Sequence, residues 1–325
     1  MARRSIVDVT LAVTARNEAG CIAQCLRSLL CAVDHAQRRR PVRFDVVVVL
    51  DACTDQTGAI ARRFEGVRTL ESSGGIVEAQ RAVATTTAVV IYADADIVVE
   101  PETLLGLTDA MEADPALRVA YPPKQPLPPH RHSTMANALY VYNLRSGFQT
   151  RRPWFSGKLF AIRGWSIPTR AELGPRLAAL RRDNFYDLHA GMRVDDIYLS
   201  RTIIAADGPR AILQTNTGLV WFRAPETFEG MARTYRRMRM EIERLDRLFP
   251  ETRAVHRRFG VRGYDRDALR KAPASERRAW WWFRAALQLC KLRYRLERAY
   301  YHHLASAPCD PWPPVVETKV RLHHG

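Results

Sequence analysis

The chain has 325 residues, of which 47% are hydrophobic and 9% aromatic, a composition that excludes a disordered chain and predicts a sizeable core. Its 50 Lys and Arg residues against 34 Asp and Glu residues give a formal net charge of +16, which favours an anionic partner such as a nucleotide, a nucleic acid or a lipid surface. No apolar run reaches the ~18 residues of a membrane span, and the six Cys residues show neither zinc-site spacing nor a disulfide framework.

Strand and helix patterns alternate along the first 120 residues. The stretch 7–13 predicts a strand that ends in the polar residues TARNEAG, and the apolar stretch FDVVVVL at 44–50 is typical of a central strand of a parallel sheet. Further strands are predicted at 67–70 and 88–93, and helices at 19–33, 56–64, 77–86 and 101–113. This order predicts an α/β fold with a doubly wound, mostly parallel sheet that has helices on both faces.

The pattern changes after residue 120, where the Pro-rich stretch YPPKQPLPPHRH predicts an extended loop. Beyond it, helices are predicted at 134–146, 170–182 and 227–248, with another helix between Asp195 and Gly208, and strands at 156–164, 211–214 and 218–223. From Trp221 to Tyr301 the chain has 21 Lys and Arg residues against 10 Asp and Glu residues. We therefore expect one domain at 1–225, with halves at about 1–120 and 121–225, and a basic helical C-terminal region at 226–325.

Polar residues follow three of the predicted strands: TARNE after the first, LDACTD after the second and ADAD after the fourth. The carboxyl ends of parallel strands meet at one edge of a sheet, where ligands bind. The carboxylates of Asp94 and Asp96 are one residue apart, which is costly unless a cation lies between or beside them. Mn²⁺ and Mg²⁺ prefer oxygen ligands, so the pair is a candidate metal site, although acidic residues at strand ends also cap helices or solvate loops.

Four motifs occur in a fixed order: VTARNE at 13–18, VVVVLDACTDQT at 46–57, VIYADAD at 90–96 and VDDIYLSR at 194–201. This order resembles that of the family 2 glycosyltransferases of the GT-A fold, whose motifs are P-A-Y-N-E, a hydrophobic strand with N-D-G-S-T-D, D-x-D and E-D-x-x-L-x-x-R. SGKLFAIR at 156–163 is similar to the strand that lines the acceptor pocket of that family. In the second motif Ala52 and Cys53 replace Gly and Ser, and TYRRMRME at 234–241 is only a loose counterpart of the Q-x-x-R-W of processive synthases.

The resemblance implies a GT-A fold and the metal-dependent transfer of a sugar, with inversion, from a nucleoside diphosphate sugar to a hydroxyl group. The first candidate donor is a UDP-sugar, the cofactor is Mn²⁺ or Mg²⁺, and the acceptor is a glycan, a lipid-linked molecule or a small molecule. Three alternatives stay open. They are a retaining transferase of similar fold, a sugar nucleotidylyltransferase, for which TARNEAG is a poor match, and a non-catalytic basic protein that binds membranes or nucleic acid.

On the side of the donor base, the resemblance implies roles for residues of the first two motifs. Asp51 would accept a hydrogen bond from the nucleotide base, and Thr14 and Arg16 would line the base site. Glu18 belongs either to this donor loop or to the charged start of the following helix.

On the side of the donor diphosphate, the D-x-D motif implies the metal site. Asp94 would face the ribose and Asp96 would hold the metal ion, so both are candidate metal ligands. Arg81 would lie near the base or the diphosphate, with Gln80 as the rival for that position.

On the acceptor side, the resemblance implies that Asp196 is the general base that takes the proton of the acceptor hydroxyl. Asp195 is predicted to cap the helix that follows. Lys158 and Arg201 are candidate acceptor-side cations, and a salt bridge from Arg201 to Asp195 or Asp196 is expected. For Lys158 the alternative is a solvated charge at a strand edge.

The stretch 276–303 predicts one basic helix that is rich in Trp. Apolar and basic side chains each recur every seven residues, at Trp282, Leu289 and Leu296 on one stripe and at Arg284, Lys291 and Arg298 on the opposite stripe. A helix of this kind lies on an anionic membrane surface. Alternatively, Trp280–Phe283 packs on the domain and the Arg face is solvated.

The same observations give expectations about partners and location. The chain shows no nucleic-acid motif, so we expect no nucleic-acid partner. Its N-terminal residues lack the pattern of a signal peptide. We therefore expect a cytoplasmic protein, with peripheral binding to the inner membrane surface as the further expectation from the basic helix.

Overall fold

The computed structural model describes residues 7–83, 87–144, 153–164, 167–180, 185, 195–260, 265–305 and 318–319. The strands are β1 (Val7–Ala15), β2 (Val42–Asp51), β3 (Val67–Ser72), β4 (Val89–Asp94), β5 (Ile97–Val99), β6 (Val119–Tyr121), β7 (Lys124–Pro126), β8 (Leu159–Ile162), β9 (Ile212–Gln214) and β10 (Val220–Phe222). The helices are α1 (Ile22–Arg39), α2 (Thr57–Ala61), α3 (Ile76–Ala82), α4 (Thr103–Ala113), α5 (Thr134–Leu144), α6 (Arg170–Ala178), α7 (Asp196–Asp207), α8 (Phe228–Leu248), α9 (Arg253–Val255), α10 (Arg266–Lys271) and α11 (Ala274–His303).

The larger sheet has seven strands in the order β3-β2-β1-β4-β8-β6-β9. The first four strands in this order are parallel, because a helix crosses over between each strand and the next along the chain. β8 is antiparallel to both β4 and β6, and β9 is parallel to β6. The prediction of an α/β fold with a mostly parallel sheet is confirmed.

Helices cover both faces of this sheet, as a doubly wound arrangement requires. Val46 and Val48 of β2 point into the core that α1 and α4 form on one face. Val47 and Val49 point into the core that α3, α6 and α7 form on the other face. The apolar stretch at 44–50 is continuous because both faces of β2 are buried.

A second sheet has three strands, with β10 between β5 and β7. β5 is antiparallel to β10, and β7 is parallel to it. β4 ends at Asp94 and β5 begins at Ile97, so the chain passes from the larger sheet to the smaller one at Ala95 and Asp96. Strands of three residues are too short for periodicity to reveal, and the sequence patterns do not predict β5 or β7.

Some predicted boundaries differ from the observed ones. α1 continues to Arg39 because Ala36 is buried and extends its apolar stripe, and because basic residues at a helix C-terminus are favourable. α2 is shorter than the predicted helix at 56–64. The predicted ends at 84–86, 145–146 and 181–182, together with residue 194 of the fourth motif, lie outside the described residues.

α11 packs its inner face against α5 and α8. Tyr142 of α5 stacks on Phe283 with 3.7 Å between ring centroids, and its ring lies 5.9 Å from that of Trp280. Ion pairs also join α8 to α11: Arg236 with Glu297, Arg293 with Glu229, and Arg298 with Glu243. Of the helices in the described part of the chain, none is long and apolar enough to cross a membrane. The boundary at 225/226 stays a prediction.

Candidate active site

The polar stretches after β1, β2 and β4 come together at one edge of the larger sheet. In the register of the sheet, Thr14 lies beside Val49 of β2 on one side and Asp94 of β4 on the other. The side chain of Thr14 is half-buried at this edge. The parallel strand order therefore brings the first three motifs to one place, where ligands of such sheets bind.

Asp51 and Arg16 face each other at the end of β2. Asp51 is 4% exposed, and its Oδ1 accepts a hydrogen bond from the backbone N–H of Gly75 at 2.9 Å. Its Oδ2 lies 3.5 Å from Nη1 of Arg16, whose side chain is largely in solvent. A buried acceptor beside an exposed planar cation can bind one edge and one face of a flat ring.

The first and second motifs are joined by hydrogen bonds. Asn17 has a left-handed backbone with φ of 55°, and its Oδ1 accepts from the backbone N–H of Thr54 at 2.8 Å. The backbone N–H of Glu18 donates to Oγ1 of Thr57 at 2.7 Å. Asp55 accepts from the backbone N–H of Thr57 at 2.9 Å. Asn17 is therefore a turn residue and Asp55 caps the start of α2, as predicted.

Glu18 is a buried carboxylate at the same edge. Its Oε2 accepts from the thiol of Cys21 at 3.1 Å, and its Oε1 lies 2.6 Å from Nζ of Lys319. Burial raises the pKa of Glu18, Lys319 lowers it, and the negative charge of Asp96 raises it further. The carboxylate thus belongs to the donor loop and lies within electrostatic reach of the D-x-D pair.

Asp94 and Asp96 are bridged by an ammonium group. Nζ of Lys158 lies 3.0 Å from Oδ2 of Asp94 and 2.6 Å from Oδ1 of Asp96. Lys158 was expected on the acceptor side. It lies instead between the donor-side carboxylates, because β8 is the antiparallel neighbour of β4 and begins directly after Lys158. This is the cation that two carboxylates at the end of a buried strand require.

The charges of this trio shift their pKa values in opposite directions. Burial raises the pKa of Asp94 to about 6, with Lys158 lowering it and Asp96 raising it. Burial acts to lower the pKa of the Lys158 ammonium, but Asp96 and Asp94 together raise it above its ordinary value. The ammonium therefore stays charged at neutral pH.

Asp195 and Asp196 form a second pair of carboxylates, at the start of α7. Oδ2 of Asp196 accepts from the backbone N–H of Gly157 at 3.0 Å, and Gly157 directly precedes Lys158. Burial raises the pKa of Asp196, while Gly157 and Lys124 lower it. Burial and the charge of Asp196 raise the pKa of Asp195 to about 6. One turn of chain at 157–158 thus connects the two pairs.

Gln80 and Arg81 have exchanged the positions that the sequence favoured. Nε2 of Gln80 donates to Oδ2 of Asp195 at 2.5 Å, and the side chain of Gln80 is buried. Arg81 instead donates to the backbone carbonyl of Ile167, at 2.9 Å from Nη2, and pairs with Glu78. Asp195 stands at the N-cap position of α7 but makes no capping hydrogen bond through its side chain.

Arg201 is buried between α7 and α8. Its Nη1 lies 2.8 Å from Oδ1 of Asp246, so its ion pair is with α8 and not with Asp195 or Asp196 as expected. A cation one and a half turns along α7 from its first residue points across to the neighbouring helix, which the spacing alone does not reveal.

Two cations near the carboxylates were missed by the sequence. Burial lowers the pKa of Arg237 on α8, while Asp96 and Asp94 act to raise it, which places this guanidinium within electrostatic reach of both carboxylates. Arg237 lies in TYRRMRME, whose loose likeness to Q-x-x-R-W was the available signal. Nζ of Lys124 donates to Oγ of Ser156 at 2.8 Å, beside the segment that binds Asp196. The Pro-rich loop gave no signal beyond composition.

The carboxylates of Asp94 and Asp96 fit a hard divalent cation. In the part of the chain that the structure describes, no three His, Cys, Asp or Glu side chains are grouped as a metal site. Mg²⁺ and Mn²⁺ nevertheless need only one or two protein carboxylates when phosphate and water supply the other ligands. The ammonium held between Asp94 and Asp96 shows that this position accommodates a cation.

Comparisons with known proteins agree with this geometry. The family model described as "Glycosyl transferase family 2" matches residues 10–172, which contain the first three motifs and Lys158. No curated protein matches the chain.

Two solved structures illustrate the similarity of fold. Mannosyl-3-phosphoglycerate synthase of Rubrobacter xylanophilus is 15% identical, with a TM-score of 0.47, and the alignment covers 74% of each chain. Glucosyl-3-phosphoglycerate synthase of Mycobacterium tuberculosis, in complex with Mn²⁺, UDP-glucose and phosphoglyceric acid, is 16% identical with a TM-score of 0.45. That alignment covers 74% of this chain and 80% of the synthase.

Proposed function

The chain belongs to glycosyl transferase family 2, and we propose that it transfers a sugar from a nucleoside diphosphate sugar, in the first instance a UDP-sugar, to an acceptor hydroxyl in a reaction that needs Mn²⁺ or Mg²⁺. The observation that carries the proposal is the connection between two carboxylate pairs. Asp94 and Asp96 lie at the end of β4, and Asp196 is bound to the residue that precedes the bridging Lys158. Such a site can hold a diphosphate and an acceptor side by side.

The donor is proposed to lie along the edge from Asp51 to Asp96. Asp51 accepts a hydrogen bond from the base, and the exposed guanidinium of Arg16 stacks on its ring beside Thr14. Asp96, with Asp94, is proposed to hold the metal ion, which would neutralise charge on the diphosphate leaving group. Arg237 supplies further positive charge beside the same carboxylates.

The acceptor is proposed to approach Asp196. Its carboxylate takes the hydroxyl proton while the acceptor oxygen forms a bond to the anomeric carbon and the bond to the diphosphate breaks. Attack from the face opposite the leaving group gives inversion. The raised pKa of Asp196 suits a base that works near neutral pH. Retention of configuration in the product would remove Asp196 from this role, so the anomer of the product decides between the two mechanisms.

The proposal is tested with a thermal-shift screen of UDP, GDP and their sugars, each with and without Mn²⁺. Ligand that binds the native state raises the melting temperature by mass action. We expect a Mn²⁺-dependent shift with one nucleotide that is lost in Asp96→Asn and kept in the surface control Asp34→Asn. A shift that ignores Mn²⁺ and survives Asp96→Asn would favour a non-catalytic nucleotide-binding protein. No shift with any nucleotide would overturn the proposal.

We further propose that the enzyme works at an anionic membrane surface, in a cytoplasmic location, through the outward stripe of α11. We define this outward stripe as Trp282, Leu289, Leu292, Leu296 and Tyr300, which are 53–63% exposed. The basic side chains of Arg284, Lys291 and Arg295 lie on the adjoining face of the helix. An amphipathic helix with this arrangement binds lipid by burying its apolar side while its cations meet anionic headgroups.

Charge favours a membrane over a second copy of the chain. A symmetric contact between two outward stripes would bring their basic faces together, on molecules that each have a net charge of +16. Anionic lipid is complementary to the same charges. The outward stripe therefore fits a lipid surface better than itself.

Vesicle flotation tests the membrane proposal. We expect the protein to float with phosphatidylglycerol vesicles but not with phosphatidylcholine vesicles. The double variant Trp282→Ser and Leu296→Ser should lose binding, and Leu213→Ser, which removes an exposed leucine from β9, should keep it. Unchanged binding by the double variant would overturn the proposal. So would a concentration-dependent dimer that the double variant abolishes, since a second copy would then cover the outward stripe.

A further inference from the structure

We infer that Lys158 is a resident cation of the donor site, which competes with the divalent metal ion for Asp94 and Asp96 and so makes the site select the metal–diphosphate complex over the bare metal. The inference rests on the proposed function, because it concerns how the same site takes up its donor. It assigns to Lys158 a positioning role that the resemblance to the family does not give.

The geometry shows one cation position shared by two carboxylates. The ammonium lies 3.0 Å from Asp94 and 2.6 Å from Asp96, which are direct ion-pair contacts. A divalent ion bound to the same oxygens would lie next to the ammonium, and like charges at such distances repel strongly in a largely buried site. Metal binding therefore requires the ammonium to leave.

Only the side chain of Lys158 is free to make that exchange. The backbone carbonyl of Lys158 accepts from the backbone N–H of Asp94 at 3.0 Å, and the next residue, Leu159, pairs with Ala93 in the antiparallel register. The main chain on both sides of the contact is thus held in the sheet. The four-carbon stem of lysine can swing its ammonium away from the carboxylates without disturbing either strand.

The exchange has a different cost for bare metal than for metal with nucleotide. When the metal arrives alone, the ammonium loses its two carboxylate partners and stays close to a dication. When the metal arrives with a diphosphate, the phosphate oxygens offer the ammonium new anionic partners. Lys158 therefore weakens the binding of the metal alone and leaves the binding of the complex nearly unchanged.

Electron paramagnetic resonance of free Mn²⁺ tests the inference with the full chain and no nucleotide. We expect Lys158→Met to bind Mn²⁺ about tenfold or more tightly than wild type, because two unpaired carboxylates then seek a cation. Lys158→Arg keeps a cation and should stay near wild type. Lys291→Met removes the same charge from the exposed α11 and is the control. In the presence of UDP, the advantage of Lys158→Met over wild type should disappear.

A second measurement uses the wild-type protein and does not depend on a variant that folds poorly. In lysine-labelled protein, the side-chain ammonium resonance that is missing from Lys158→Arg should shift on titration with Mg²⁺. No such shift, or Mn²⁺ binding by Lys158→Met that is no tighter than wild type, would overturn the inference. Both measurements use the metal alone, so they can fail while the nucleotide screen succeeds, and the reverse.

Discussion

Gln80 of α3 donates a hydrogen bond to Asp195 at the start of α7, across 115 positions of sequence and over 2.5 Å. Both side chains are buried, at 5% and 4% exposure. The bond joins the helix beside the donor edge to the carboxylates on the acceptor side. It also gives the buried charge of Asp195 a partner where burial disfavours that charge.

Asp195→Asn is expected to stabilise the fold at alkaline pH. The pKa of Asp195 is raised to about 6 from an ordinary value of 3.8, so the native state binds protons more tightly than the unfolded chain between these values. Stability from this group is therefore lost as pH rises through that window. Thermal unfolding should show a gain of about 2 kcal/mol at pH 8 that vanishes near pH 4. An equal gain at both pH values would contradict the assignment.

Lys124→Met is expected to move the acid limb of the pH–rate profile to higher pH. The charge of Lys124 lowers the pKa of Asp196, against the burial that raises it. Without the ammonium, a general base at Asp196 keeps its proton to higher pH. The acid limb of kcat/KM should shift by about 0.5–1 pH unit, and Lys291→Met should leave it in place. An unchanged limb in Lys124→Met would mean that another group limits the rate.

Asp51→Asn is expected to weaken the binding of UDP about tenfold, since a side-chain N–H₂ would then replace an acceptor that faces the base. Oδ1 of Asp51 is already occupied by the N–H of Gly75, so Oδ2 is the oxygen that faces the ligand side, near Arg16. Isothermal titration calorimetry with UDP and Mn²⁺ measures the change. Asp45→Asn, at a half-exposed position on the same strand, is the control. Equal affinities in both variants would place the base elsewhere.

Trp280 and Trp282 differ in what their removal should do. Trp280 is 2% exposed and packs with Tyr142 and Phe283, so Trp280→Ala should cost about 3–5 kcal/mol in urea unfolding. Trp282 is 57% exposed, and Trp282→Ala should stay within about 0.5 kcal/mol of wild type. Vesicle binding should depend on Trp282. A large loss of stability in Trp282→Ala would show that its ring is covered in the native protein.

The central sheet and the meeting of three motifs at its edge were predictable because they follow from local patterns. An apolar stretch such as 44–50 indicates a strand that is buried on both faces, and parallel strands must end at the same edge. The two readings of the C-terminal helix were both correct for different residues. Trp280 packs on α5, while Trp282 lies on the outward stripe.

The contacts that make the site were not predictable, because they join residues far apart in sequence. The position of Lys158 depends on the antiparallel insertion of β8 beside β4, which no local pattern encodes. The choice between Gln80 and Arg81 depends on which face of α3 points at α7. Ala52 is a third case, since its φ of 47° is one that glycine adopts more readily, and the motif of the family has Gly there. The replacement of that Gly shows in the sequence, but the strained backbone does not.

The insertion of β8 beside β4 also has a consequence for the growing chain. The first 94 residues contain all four parallel strands, but the N–H of Asp94 finds its partner only at the carbonyl of Lys158. A ribosome that adds about 5–20 residues per second needs about 3–13 s to cover the interval. During that time β4 is an open edge, and open edges pair with other chains unless charges oppose it. Asp94 and Asp96, still without their ammonium, guard the unfinished sheet against aggregation before they bind any ligand.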